Sequence, residues 1–139
     1  MRVLQICNKA PFPANDGSSI AIYNMGMGFI PNGVELHVLT INTKKHFKAD
    51  EEVEPDYKIK SHYQSVYRNT DTSALGALMN LFSSASYFVS RFYFKDFENA
   101  LVEKLKNNAF DIIQIEGFFM ASYIPVIKKY SKAKITLRS

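Results

Sequence analysis

The sequence predicts an α/β domain in which helices pack on both faces of a mostly parallel β-sheet. Short runs of apolar, β-branched residues alternate along the chain with stretches of helical periodicity and with turns rich in Gly, Pro and Asn. The chain has 139 residues, of which 47% are hydrophobic and 22% are charged, which is typical of one globular domain. We therefore expect residues 1–139 to form a single Rossmann-like three-layer sandwich.

The first half of the chain is predicted to form a strand, a helix and two further strands. Val3–Cys7 is an apolar run typical of a buried central strand. The segment that follows contains prolines and a glycine and predicts a loop, after which Ser18 or Ser19 is expected to cap a helix over 19–29. The next two expected strands are 34–41 and, with a less regular pattern, 62–68.

The remaining segments are a charged insertion and the second half of the sheet. Lysines and acids dominate residues 42–57, which predicts an exposed, mobile insertion. Pro125 is expected to kink or break the last helix. Because the chain ends on a strand with no helix after it, we expect a truncated domain. The expected helices are 74–82, 90–107 and 119–130, and the expected strands are 111–116 and 133–137.

Charge and cysteine content restrict the function classes. The net charge is +4 and the pI is about 9.1, which favours anionic partners. The lysines are scattered along the sequence without a basic helix, so we expect no nucleic-acid partner. Cys7 is the only cysteine and is expected in the core, which suits a reducing cytoplasm. No apolar stretch approaches the ~20 residues of a membrane-spanning helix, so the chain is expected to be soluble and cytoplasmic.

The loop after the first strand is the first candidate site. Asn15, Asp16, Gly17, Ser18 and Ser19 lie between a buried strand and a helix. Free N–H groups at a helix start attract anions, so these residues are expected to contact a phosphate-bearing ligand, unless they form an ordinary turn with a helix cap. Neither G-x-G-x-x-G nor a P-loop pattern is present, which argues against nicotinamide, flavin and P-loop nucleotide sites.

The ends of the later strands carry the second candidate site. Ligands of open α/β sheets lie beyond the carboxyl ends of the strands. Glu116, followed by Gly117, could accept hydrogen bonds from sugar hydroxyls or act as a base, or it could be a solvated acid at a strand end. Arg138 could contact an anion, although a surface arginine is the simpler interpretation.

Other polar and aromatic clusters give weaker indications. His37, His46 and His62 lack the spacing of zinc ligands, so no metal site is expected. The aromatic stretch 87–97, with Arg91 inside it, could rest on a membrane surface. Packing into the core or against a partner domain is the commoner use of such a stripe.

Three segments of the chain resemble the amino-terminal domain of family 4 glycosyltransferases, which have the GT-B fold. Many members carry two adjacent glycines after the prolines, whereas this chain has Gly17 followed by Ser18. In relatives the closing strand leads directly into a His-Asn pair that lies beyond residue 139. The segments are Arg2–Ile6 with Pro11, Pro13 and Asp16–Ser18, then Phe110–Gly117, and finally Thr136–Ser139.

That resemblance implies the acceptor-binding half of a two-domain enzyme for polysaccharide biosynthesis. A carboxyl-terminal domain would bind the nucleotide-sugar donor, no divalent metal or other cofactor would be bound by this domain, and the fragment would be inactive alone. The acceptor would be a glycan or a lipid-linked sugar, with peripheral membrane contact possible. Gly17 and Ser18 would lie near the donor diphosphate and Glu116 near the acceptor. The alternative is a stand-alone flavodoxin-like binding or signalling module.

Overall fold

The computed structural model describes residues 1–44, 47–69 and 92–138. Five strands form one sheet in the order β3-β2-β1-β4-β5, and all four neighbouring pairs are parallel. The α/β sandwich expected from the sequence is therefore confirmed. The strands are β1 (Arg2–Cys7), β2 (Glu35–Thr43), β3 (Gln64–Arg68), β4 (Ile112–Glu116) and β5 (Lys134–Arg138).

The strand order separates two kinds of doubly wound sheet. A Rossmann sheet runs 3-2-1-4-5-6, whereas a flavodoxin-like sheet runs 2-1-3-4-5. The observed order matches the first five strands of the Rossmann arrangement. The flavodoxin-like alternative is therefore wrong as a description of this sheet.

Within the described residues, four α-helices connect the strands, and their ends differ in part from the predicted ones. The first helix begins at Gly17, with Asp16 rather than Ser18 or Ser19 as its cap. The last segment begins as a 3₁₀ helix over Phe118–Tyr123 and becomes α-helical at Ile124, so the break expected at Pro125 is confirmed. The helix predicted over 74–82 and the start of the one over 90–107 lie outside the described residues. The α-helices are α1 (Gly17–Phe29), α2 (Pro55–Lys60), α3 (Lys95–Asn107) and α4 (Ile124–Tyr130).

The core lies mainly on the face of the sheet that α3 and α4 cover. In α3 the buried residues recur every three to four positions, as an amphipathic helix requires. On the opposite face α1 covers a smaller cluster around Cys7, whose expected core position is confirmed. The larger cluster includes Leu4, Ile6, Phe97, Leu101, Ile113, Ile115, Tyr123 and Ile127.

The segment 42–57 is not wholly exposed, contrary to the sequence prediction. Asn42 and Thr43 complete β2 and are buried, and the Asn42 side-chain amide bonds both the backbone N–H and the C=O of Lys48. Val53 and Tyr57 are also buried, at 2% and 3% exposure. The many charged residues of this segment favoured the prediction of an exposed loop. Its two buried apolar side chains, Val53 and Tyr57, nevertheless hold it against the rest of the fold.

Gly26 and Gly28 lie in the same helix but differ in their surroundings. A Cβ on Gly26 would lie 2.6 Å from Oε1 of Gln5 and 3.1 Å from Leu36, whereas a Cβ on Gly28 would meet nothing within 4 Å. Glycine at position 26 therefore allows α1 to pack closely on the sheet, whereas Gly28 has open space beside it.

Alanine at these two positions is expected to change stability in opposite directions. Gly28→Ala should raise the free energy of unfolding by about 0.5–1 kcal/mol, because alanine has the better helix propensity. Gly26→Ala should lower it by about 1–2 kcal/mol, because overpacking displaces the buried Gln5 side chain. Urea denaturation of both variants measures the difference. Equal stabilisation by both substitutions would show that Gln5 yields without cost.

Among the described residues, no helix is both long enough and apolar enough to cross a bilayer.

Candidate functional site

The strand order reverses at β1, which sends the chain toward β2 on one side and toward β4 on the other. Ligands of open α/β sheets bind in the crevice that such a reversal leaves beyond the carboxyl ends of the strands. A pocket of about 250 Å³ opens at this point. It is lined by Asn8, Ser18, Ile22, Glu116, Gly117, Phe118, Phe119 and Arg138.

The fold brings some of the predicted site residues together and separates others. Ser18, Glu116, Gly117 and Arg138, which come from three distant parts of the chain, all line this switch-point pocket. Asp16, Gly17 and Ser19 do not line it and instead form the start of α1 beside it.

Glu116 is the centre of a buried polar network beneath the pocket. Its side chain is 1% exposed. Its Oε1 accepts hydrogen bonds from the side-chain amides of Gln5, at 3.2 Å, and Gln114. Its Oε2 accepts from Arg138 through Nε at 2.8 Å and through Nη2 at 2.7 Å. Two donors therefore reach each carboxylate oxygen.

The contacts of the Glu116 carboxylate bear on the interpretations of this residue. A carboxylate has about four lone-pair sites, and four donors already occupy them, so little capacity remains for a sugar hydroxyl. The roles of base and of direct sugar ligand stay predictions that this geometry does not favour, whereas the solvated acid is wrong because the side chain is 1% exposed. Arg138 is not a free surface arginine, because the buried carboxylate holds its guanidinium at the pocket wall.

Gln5 and Gln114 were missed by sequence reasoning, although a signal was present. Each is a long polar side chain in the middle of an otherwise apolar strand, and both are buried. The register pairs Gln5 with Gln114 and Cys7 with Glu116, so all four side chains share the α1 face of the sheet. An interior polar residue needs a buried partner, and aligning the two strands would have pointed to Glu116.

Asn8 and Phe118 were also missed. Each lies just beyond the carboxyl end of a strand, where ligand contacts are expected. Phe118 is 59% exposed, which is unusual for a large aromatic side chain. The pocket therefore combines one exposed aromatic face with amide, hydroxyl and guanidinium groups.

Asp16 occupies the helix start that was expected to attract a phosphate. Its Oδ1 accepts from the backbone N–H groups of Ser18 and Ser19, each at 3.0 Å, and the Ser19 hydroxyl accepts from the Asp16 N–H. Lys9 lies 2.5 Å from the same carboxylate. The prediction of free N–H groups is wrong for Ser18 and Ser19, and Gly17 is the residue whose N–H stays open for a ligand among these three.

The Lys9 side chain and the helix N–H groups also set the charge of Asp16. The hydrogen bond from Lys9, followed by the one from Ser19, lowers the pKa of Asp16 to about 2. The carboxylate is therefore ionised over the whole physiological range, and the helix start carries its own bound anion.

Gly117 shapes the pocket through its backbone. Its φ is 87° and its ψ is 140°, a conformation that a Cβ atom makes costly. Its N–H donates to the carbonyl oxygen of Arg138 at 2.8 Å, which ties the end of β4 to the end of β5. A Cβ here would also lie 3.3 Å from Oδ1 of Asn8, so glycine keeps the pocket open.

Glu35, His37 and His62 bring potential metal-ligand atoms within 4.8 Å of one another at the opposite end of the sheet. The two imidazole rings are stacked, with centroids 4.3 Å apart and planes 11° from parallel. Each nitrogen lone pair lies in its own ring plane, so one ion cannot meet both in parallel planes without rotating a ring. The geometry favours a stacked pair over a metal centre. His46 lies outside the described residues.

Burial lowers the pKa of His37 against the opposing effect of its hydrogen bond to Glu35, and the nearby His62 and Lys104 lower it further. The neutral ring is therefore favoured, which suits stacking against a second imidazole. Burial likewise raises the pKa of the Cys7 thiol, and the Glu116 carboxylate adds to that shift. A protonated, fully buried thiol is a poor nucleophile, so Cys7 contributes packing to this site.

The candidate site is a pocket at the topological switch point of an α/β domain. No protein-family model, curated protein or solved structure matches this chain.

Proposed function

We propose that this chain is the acceptor-binding domain of a glycosyltransferase that transfers a sugar from a nucleotide-sugar donor. The observation that carries the proposal is the switch-point pocket, which joins the residues Ser18, Glu116, Gly117 and Arg138 of the segments that resemble family 4 glycosyltransferases. The Rossmann order of the sheet supports it, because a GT-B enzyme is built from two such layers facing each other across a cleft.

The chemistry of the pocket suits a sugar acceptor. A pyranose ring has apolar C–H faces and polar edges, so it pairs an aromatic surface with hydrogen-bonding side chains. Phe118 offers the aromatic surface, and Asn8, Ser18 and Arg138 offer donors around it. Glu116 acts as a positioning residue, since its carboxylate orients Arg138 and has no free acceptor site of its own.

Fewer groups at the start of α1 are available to a donor phosphate than the resemblance implies. Asp16 already satisfies the N–H groups of Ser18 and Ser19, so the Gly17 N–H and the Ser18 hydroxyl are the groups left at this helix start for a donor phosphate. Nucleotide binding and leaving-group stabilisation would therefore rest mainly on a second domain, and this domain alone would not catalyse transfer.

Assaying the complete gene product with a panel of nucleotide-sugars and glycan acceptors tests the proposal. Phe118→Ala should lower kcat/KM for the acceptor by roughly 3- to 10-fold, because it removes an aromatic contact, with little effect on the KM for the donor. Phe47→Ala is the matched control, since Phe47 is 51% exposed and lies outside the pocket.

Two results would count against this function. One is the absence of transferase activity with every donor while the protein remains folded. The other is an equal change of kcat/KM in the Phe118 and Phe47 variants, which would show that the pocket does not hold the acceptor.

A further inference from the structure

Lysines from two parts of the sequence line one concave surface of the fold. Lys106, Lys132 and Lys134 line an open basin of about 540 Å³ together with Tyr130. Lys129 joins them, because its Nζ and that of Lys106 lie 5.3 and 5.4 Å from the centroid of the Tyr130 ring. We call these four lysines and Tyr130 the lysine basin. It lies at the amino ends of β4 and β5, at the opposite end of the strands from the switch-point pocket.

Nearby acidic side chains offset the positive charge of the basin only in part. All four lysines are exposed, and none forms an ion pair with a carboxylate within residues 1–44, 47–69 and 92–138. Asp111 is the acid in the basin wall, where it accepts a hydrogen bond from the backbone N–H of Arg2. Glu98 and Glu103 line a neighbouring groove that shares Lys106 and Tyr130 with the basin, and Glu98 also interacts electrostatically with Lys129.

Helix capping explains only part of this arrangement. Lys106 and Lys129 lie in the last turns of α3 and α4, where cations stabilise the helix dipole. Lys132 and Lys134 belong to a loop and to β5 and have no such role. Their charges add to the same basin, so the cluster exceeds what the helix ends require.

Several backbone donors in the wall of the basin already have partners. The N–H of Ser131 bonds the Ile127 carbonyl, that of Ala133 bonds the Ser131 hydroxyl, and that of Lys134 bonds the Asp111 carbonyl. Both neighbouring helices turn their carbonyl ends toward it. Flexible lysine side chains are left as the anion-binding groups, and these suit many diffusely placed charges better than one fixed anion.

We propose that the lysine basin binds the phosphate-bearing headgroups of an anionic membrane surface. Each lysine near such a surface contributes about 1 kcal/mol of electrostatic attraction, so a cluster of four is sufficient for reversible docking. A nucleic acid fits less well, because the basin contains no arginine and two lysines cover the Tyr130 ring that a base would stack on. The proposal is independent of the acceptor pocket, which docking would turn away from the bilayer.

Vesicle co-sedimentation of the 139-residue chain tests this inference. We expect binding to phosphatidylcholine vesicles that contain about 30 mol% phosphatidylglycerol, no binding to phosphatidylcholine alone, and release as salt rises from about 0.1 to 0.5 M. Lys132→Gln/Lys134→Gln should lower the partition coefficient roughly 25-fold, at about fivefold per lysine. Both side chains are exposed, so urea denaturation should show an unchanged fold.

The control is Lys58→Gln/Lys60→Gln, which changes the net charge equally at the other edge of the sheet. It should leave the partition coefficient within about twofold of the parent value, because these lysines lie far from the basin. Equal loss in both variants, or no sedimentation with anionic vesicles, would overturn the proposal. So would full competition by inorganic pyrophosphate at the accessible lipid concentration, or equally tight binding of an RNA homopolymer at the same salt.

Discussion

Replacing Glu116 by alanine is expected to lower the free energy of unfolding by about 2–4 kcal/mol. The substitution removes the acceptor shared by Gln5 and Gln114 and the counter-charge of Arg138. Removing one partner of a fully buried ion pair costs about 3–5 kcal/mol, but the Arg138 side chain is 34% exposed and can regain water. Urea denaturation of the chain measures the loss.

A double-mutant cycle separates the ion pair from the amide contacts. We expect Glu116→Ala and Arg138→Ala to be non-additive, with a coupling energy of more than about 1 kcal/mol, since each single variant leaves a charged partner behind. Glu51→Ala serves as the control, because Glu51 is exposed and should change stability by less than about 0.5 kcal/mol. Additive losses at Glu116 and Arg138 would show that the guanidinium is not held by the carboxylate.

Under the proposed function, the Glu116–Arg138 pair should also determine how substitutions in the pocket change acceptor affinity. Because Glu116 acts through Arg138, a loss of acceptor affinity in a Glu116 variant should be reproduced by an Arg138 variant and should not increase when both are changed. A direct sugar ligand at Glu116 would behave differently, since its loss would add to that of Arg138.

The sheet was predictable because its strands are short and apolar. Burial on both faces of a central parallel strand favours a mainly apolar sequence, and β1, β2 and β4 are each mainly apolar at their buried positions. The exceptions within those strands were the informative residues. Gln5 and Gln114 are separated by more than a hundred positions, and only the register of β1 against β4 places both beside Glu116.

The residue that caps α1 could not be predicted, for a different reason. Asp16, Ser18 and Ser19 are all good cap residues, so composition could not decide which of them begins α1. The choice matters for function, because the capping side chain decides which backbone N–H groups are occupied, and the Asp16 cap occupies those of Ser18 and Ser19 and adds a negative charge. Lys9, which also bonds Asp16, comes from the preceding loop and carries no helix signal of its own.

Only part of the lysine basin could be recognised in the sequence. Lys129, Lys132 and Lys134 fall, with Lys128, in one basic window over 128–134, whereas Lys106 lies at the end of an earlier helix. Parallel strands all begin at the same end of the sheet. The residues that precede β4 and β5 are therefore neighbours in the fold. The sequence alone shows the basic window over 128–134, and the fold adds Lys106 to it.

Tyr123 is expected to be the most sensitive single position for folding. It is fully buried, and its ring packs against Tyr93 and Phe97, with centroids 5.1 and 4.8 Å away. Its hydroxyl donates to the carbonyl of Phe92 and accepts from the N–H of Phe94, both at 2.8 Å. The residue thus joins the 3₁₀ segment after β4 to the chain that enters α3.

Tyr123→Ala should lower the free energy of unfolding by about 3–5 kcal/mol, because it leaves a cavity in the larger core cluster. Tyr123→Phe keeps the ring and should cost about 1–3 kcal/mol, since the Phe92 carbonyl and the Phe94 N–H lose their partner. Urea denaturation ranks the two variants against the parent chain.

Hydrogen exchange distinguishes the role of the hydroxyl from that of the ring. In Tyr123→Phe the amide of Phe94 should exchange faster by a larger factor than the amides inside β4, because only the former loses its acceptor directly. If the exchange rates of Phe94 and β4 rise by the same factor, the hydroxyl contributes to global stability alone and does not anchor the entry to α3. If neither rises, water replaces the hydroxyl at no cost, and the position tolerates phenylalanine because its ring supplies all of the stabilisation.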